Sequence, residues 1–360
     1  MHPRSFLALF CTAQVALLTG MAATASPPPQ SPSPIAAPQT VALFGIPKIP
    51  VPGGSVEGVI KGAASKQVVK ALGETLQKEA PIASSAKDVF PTVAKLPGKA
   101  FNPTGNTQPV VQQLRISKDG TVMLPPGDYA VPVDVFCMKA SASSPNGHRY
   151  LLAPLKGKMA DVITALNTRS IGSNVPHSQL QVLSWNLQAG MKYEEMSPEM
   201  RTLVDRFLSD FKPRLKRSYY EQVEATWKQV SSTVPGVPSL DSAIADMGEV
   251  GKTINTLRQT RAALISNSNN FEALSRLFVT SDASAKAGGA ANTPWSQISD
   301  RVYGRMVTEG NYSTPGELQI RVIPGSSATA KVGITNLVAD SQTPKIQPLS
   351  MSPIATPKAK

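Results

Sequence analysis

The sequence predicts an α+β protein: a small antiparallel sheet packed with a helical hairpin, plus a C-terminal β segment. Three observations carry that expectation. Residue character alternates through 129–138, as in half-buried strands. Apolar residues recur every four positions from Leu203 to Trp227, and every three or four from Leu240 to Leu257, as on the buried face of a helix. After a small-residue stretch at 281–294, extended segments joined by Pro-Gly turns return.

Taken in order, residues 1–25 read as a secretory signal, with Arg4 at the start, an apolar core over 6–18 and the small residues Ala23, Thr24 and Ala25 at the cleavage point. The protein is therefore expected to be exported: periplasmic, on the cell surface or secreted. Residues 26–54 form a linker whose Pro/Ser/Ala-rich start (26–40) has polyproline character and too little apolar content for a core. Ser55 caps an amphipathic helix over 55–80, expected to pack on the following domain through Val68, Leu72 and Leu76. Residues 81–109 read as a second linker, rich in Pro-Gly and Thr-Gly-Asn turns.

The mixed domain is expected over 110–279. It opens with segments 110–116 and 121–124 around Lys118-Asp119-Gly120, a turn whose glycine tolerates positive φ. A strand over 129–138 places Cys137 on the face of Tyr129, Val131, Val133 and Val135. A short apolar run (150–155) and helices over 159–166 and 179–188 follow, the second stopped by Gly190. Ser197-Pro198-Glu199 starts a long helix, kinked at Pro213, and Ser239 caps its hairpin partner. Residues 280–294 are a linker, 295–340 the C-terminal β segment and 341–360 a disordered tail.

The formal charge is +12 at pH 7, or +11 once Arg4 leaves with the signal. Outside the cytosol such a balance favours anionic envelope components over nucleic acid. The run Lys212, Arg214, Lys216 and Arg217 is the candidate contact. No later stretch reaches the roughly 20 apolar residues that span a bilayer. His148, His177 and Cys137 lack paired ligand spacing, so neither metal nor cofactor is expected. The sequence leaves the oligomeric state open.

Cys11 departs with the signal, which leaves Cys137 as the one mature cysteine. In an oxidising compartment three roles are open to it: a buried inert thiol, a pairing with a partner chain, or a thiol consumed by other chemistry. Phe136-Cys137 on a strand, followed by Gln181-Val182-Leu183-Ser184-Trp185 on a helix, resembles the internal thioester domain of bacterial surface adhesins. The resemblance covers residues 125–190. It implies that the Cys137 sulfur displaces ammonia from the Gln181 carboxamide, giving an acyl-thioester that an amine or hydroxyl on a host ligand attacks without metal or cofactor. Such chemistry needs an apolar cover against water. Phe136, Tyr150 and Trp185 are the candidates for it, with His148 or His177 as proton shuttle.

Two readings from the residues alone stand beside it. In one, Cys137 is a buried strand thiol, Gln181 faces solvent and Trp185 anchors the core. In the other, Cys137 is the nucleophile of a hydrolase acting on peptides or peptidoglycan, with His148 or His177 as base. The sequence reading is thus an exported envelope-associated binding or adhesion protein, its ligand carrying amines or anionic groups, with the hydrolase as the alternative.

Overall fold

The computed structural model describes residues 59–82, 92–93, 95–103, 115–138, 142–143, 150–233, 236–280, 294–308, 314–341 and 349–355. The expected signal and the linker over 26–54 lie outside these residues, as does His148. The fold is α+β.

Its centre is a sheet in the order β1-β7-β8-β9-β3-β12-β11-β5, with every pairing antiparallel. The strands are β1 (Thr92–Val93), β3 (Gly127–Cys137), β5 (Tyr150–Pro154), β7 (Trp295–Ser299), β8 (Val302–Val307), β9 (Gly316–Val322), β11 (Leu337–Ser341) and β12 (Leu349–Pro353). The sheet rolls until β5 lies against β7 and β8. There the Leu152 N–H donates to Ser296 Oγ (2.9 Å).

Register fixes one face of the roll. Val131 stands opposite Leu318, Val135 opposite Met351 and Met306 opposite Leu318, and all five side chains are buried. Burying each Val, Leu or Met contributes about 1.5–3 kcal/mol, an upper bound because the unfolded chain already shields some surface.

Of the strands over 295–340, β7, β8 and β9, with β11 at its end, are therefore part of the main sheet, which has eight strands where a small one was expected. Nor is 341–360 wholly a disordered tail. Leu349–Pro353 forms β12, wedged between β3 and β11, because Met351 alternates with Ser350 and Ser352 and finds a slot on the apolar face. Two small sheets complete the strands: β2 (Thr121–Leu124) with β10 (Ala330–Gly333), antiparallel, and β4 (Ala142–Ser143) with β6 (Val279–Thr280), parallel. Gly120, at φ +77°, makes the expected turn, but β2 leaves it to pair with β10.

Eight helices are described: α1 (Val59–Lys78), α2 (Ala160–Arg169), α3 (His177–Gln188), α4 (Pro198–Phe207), α5 (Tyr219–Thr233), α6 (Leu240–Asp246), α7 (Glu249–Ser266) and α8 (Phe271–Phe278). The expected hairpin is divided. Between α4 and α5 the chain tightens into a 3-10 stretch, Ser209–Lys216, at Pro213, whose ring removes a backbone donor. Leu203 and Phe207 consequently join the sheet core, while Tyr219, Val223 and Trp227 join a second cluster with Val69, Leu72 and Leu76 of α1 and Ile244 and Ile254. As expected, α1 packs on the domain.

The linker expected over 81–109 is corrected as well, because 95–103 is bound to the sheet by Arg321. All five guanidinium N–H groups are used. Nε and Nη2 donate to Asp128 (2.6 Å each), Nη1 to the carbonyls of Pro97 (2.7 Å) and Lys99 (2.6 Å), and Nη2 also to that of Ala100 (3.1 Å). The two side chains are only 9% and 11% exposed. Burial pushes the Asp128 carboxyl up, but the bonds from Arg321 and the Asn102 N–H outweigh it and leave it below its usual range. Asp128→Ala strands a buried guanidinium and is expected to lower the unfolding free energy in urea by about 3–5 kcal/mol. In the native protein this contribution is full above the ordinary Asp value of about 4 and fades as pH falls below it; the wild-type acid limb should therefore be steeper than the variant's.

Candidate functional site

Strand β3 is longer than its neighbour. Its pairing with β9 ends at Val133 opposite Gly316, while pairing with β12 continues to Cys137 opposite Leu349. Backbone groups of alternate residues point to the same edge, so the N–H and C=O of Val135 and Cys137 emerge on the β9 side beyond the end of the described β3–β9 pairing. Helix α3 supplies the partners. The Cys137 N–H donates to Gln181 Oε1 (2.7 Å), and Gln181 Nε2 donates back to the Cys137 carbonyl (3.2 Å). Gln188 Nε2 donates to the same carbonyl (2.7 Å), and His177 Nε2 donates to the carbonyl of Val135 (2.9 Å).

The helix is buried on nearly every side from Leu180 to Gln188, so each polar residue on it needs a partner. Gln181, Ser184 and Gln188, at i, i+3 and i+7, share one face. That face meets the end of β3, where Gln188 Nε2 also bonds Ser184 Oγ (2.9 Å). Gly190, at φ +62°, ends the helix close against Tyr219, and a Cβ there would lie 2.6 Å from that of Tyr219. The turn leaves α3 locked against β3 on one side and α5 on the other, the Tyr219 N–H donating to the Gly190 carbonyl (2.8 Å).

Cys137 and Gln181 are thus brought together, and both are fully buried, so Gln181 is not the solvent-facing residue of the simpler reading. By alternation the Cys137 side chain lies with Val133 and Val135 on the inner, apolar face, while the carboxamide sits at the strand edge. Burial pushes the thiol well above its ordinary value, opposite to the direction a thiolate nucleophile needs.

The other expected residues gather less closely. His177 stacks on Phe136 (4.7 Å between centroids, planes 8° apart), on the face opposite the thiol. Tyr150 is buried on β5, three strands from β3. Trp185 turns to α8, parallel to Phe271 at 5.9 Å and edge-on to Phe278 at 5.1 Å. The basic run is separate from the cysteine. Lys212 pairs with Asp205 (2.7 Å) and lies 4.2 Å over the Tyr193 ring. Arg214 bonds Asp161 and the Lys158 carbonyl, whereas Lys216 and Arg217 are exposed.

Gln188 and Ser184 were not singled out in the sequence, although their spacing from Gln181 is the signal that finds them. Among the described residues no group of three His, Cys, Asp or Glu side chains is placed to hold a metal ion, and no helix is long and apolar enough to cross a membrane. Comparison with known proteins finds no matching family model, no similar curated protein and no similar solved structure.

Because Gln181 serves both the N–H and the carbonyl of Cys137 while Gln188 reaches only the carbonyl, the two glutamines should respond differently to substitution. Gln181→Leu is expected to cost about 1–3 kcal/mol in urea unfolding, and Gln188→Leu less.

Proposed function

We propose that this is an exported, envelope-associated binding protein in which Cys137 and Gln181 form an internal thioester that captures ligand amines. The observation that carries the reading is the Gln181 carboxamide held against the Cys137 backbone by two hydrogen bonds in a fully buried position. The apolar leader and the net charge of +12 support export and attraction to anionic envelope surfaces.

The chemistry balances without a cofactor. The thiol adds to the carboxamide carbon, the C–N bond breaks, and ammonia leaves with the thiol proton. A ligand amine then attacks the same carbon, forms an amide and returns the sulfur as a thiol. To acylate, the carboxamide turns from the strand edge to the sulfur and gives up the Nε2 bond to the Cys137 carbonyl. Because burial raises the thiol, acylation would precede closure of the site during folding, and the same burial would afterwards shield the thioester from water. A ligand reaches it by local opening, so capture is expected to accelerate in mild denaturant. The hydrolase alternative gains nothing from a raised thiol or from a His177 already bonded to Val135.

Intact mass tests the proposal. The protein recovered from its export compartment should lie about 17 Da below its sequence mass, the ammonia lost in acylation, and methylamine should add to it while releasing one titratable thiol. Cys137→Ala and Gln181→Ala should each remove the deficit. A wild-type protein at full mass, its thiol reacting only after unfolding, would overturn the reading and leave Gln181 as a permanent strand cap.

A further inference from the structure

Different elements hold the two edges of β3 at Cys137. Gln181 and Gln188 of α3 bond the backbone on the β9 side, while β12 pairs with the other edge. Cys137 opposite Leu349 is the last pair of the β3–β12 ladder. Because the Cys137 backbone groups turn to the β9 side, that pair carries no ladder bond, and the outermost bonds to β12 are those between Phe136 and Ser350. The same alternation turns the Leu349 backbone toward Ala339 of β11. The start of β12 can therefore part from β3 while it stays with β11, at the loss of one bonded pair.

Ser350 weakens the closed arrangement further. Its Oγ is fully buried and has no hydrogen-bond partner among the described residues, whereas Ser352, two positions on, donates to the Asn167 carbonyl. A buried hydroxyl without a partner forfeits its hydration, and parting from β3 restores it. We propose that Leu349 and Ser350 are the gate to Cys137: they swing with β11 away from β3 and admit a small reagent from the side opposite Gln181, while α3 keeps its hold on the other edge. As the route by which ligand amines enter, the gate rests on the thioester reading; as the route to the Cys137 side chain, it does not.

Labelling of the mature protein at Cys137 under native conditions, followed by mass, tests the gate. The probe is methylamine where the ammonia deficit is present and N-ethylmaleimide where it is absent. Ser350→Ala removes the partnerless hydroxyl, steadies the closed ladder and should slow labelling on the order of tenfold. Asp128→Ala lowers the stability of the whole fold from the far end of β3 and should leave the rate unchanged, since the gate opens without global unfolding. Residue-resolved hydrogen exchange should find the Ser350 amide less protected than that of Ser352, which pairs with Asp134 deeper in the ladder. Equal rates in Ser350→Ala and wild type, faster labelling in Asp128→Ala, or equal protection of the two amides would each overturn the proposal. A full-mass protein whose maleimide labelling follows the expected order removes the thioester and keeps the gate. A mass-deficient protein whose capture ignores Ser350→Ala does the reverse.

Discussion

The overhang of β3 beyond β9 constrains much of the remaining architecture. A buried backbone group left without a partner costs about 1–3 kcal/mol, and the overhang exposes those of Val135 and Cys137 to that cost. Helix α3 meets it with His177, Gln181 and Gln188, which fixes the helix in both rotation and height against the strand. Trp185, beside that face, then brings in α8 through Phe271 and Phe278, and the Gly190 turn sets where α5 begins. A gap in a ladder of hydrogen bonds therefore determines how the helices sit on the sheet.

Arg321 has the matching role at the other end of β3. It carries five hydrogen bonds from β9 to Asp128 and to three carbonyls of 95–103, which ties a segment without regular structure to the sheet. The two devices differ in their electrostatics. The cap that Gln181 and Gln188 place on Cys137 holds no titratable group, whereas the Arg321 clamp depends on an ionised Asp128. Acid is expected to loosen 95–103 before it disturbs the cap.

Local patterns in the sequence translated well into elements. The alternation of 127–137, the helix stopped at Gly190, the serine caps at Ser197 and Ser239 and the Asp119-Gly120 turn all stand in the structure, because each is decided by its own neighbours. What escaped the sequence is set by partners far along the chain. Leu349–Pro353 looks like a Pro- and Ser-rich tail until β3 and β11 offer it two edges, and 95–103 looks like a linker until Arg321, more than 200 residues later, reaches its carbonyls. The division of the hairpin at Pro213 was half legible: the kink was visible, but not that α4 and α5 would enter different cores. At the site, the Cys137–Gln181 pairing followed from the short motif. The placing of Phe136, Tyr150 and Trp185 did not, since the faces they occupy depend on how the sheet rolls and where α8 packs.

The pair of donors on the Cys137 carbonyl bears on how a cap and a reactive group can share one residue. Acylation of Cys137 would remove the Gln181 amide nitrogen as ammonia, and with it the longer of the two bonds, at 3.2 Å. Gln188 holds the same carbonyl at 2.7 Å and is itself steadied by Ser184, so the strand end stays satisfied after the nitrogen has gone. The Gln181 carbonyl oxygen, the acceptor for the Cys137 N–H, is retained in a thioester. In the proposed thioester, loss of ammonia would therefore leave the Cys137 carbonyl with its Gln188 donor, and the second glutamine would keep α3 fastened to β3.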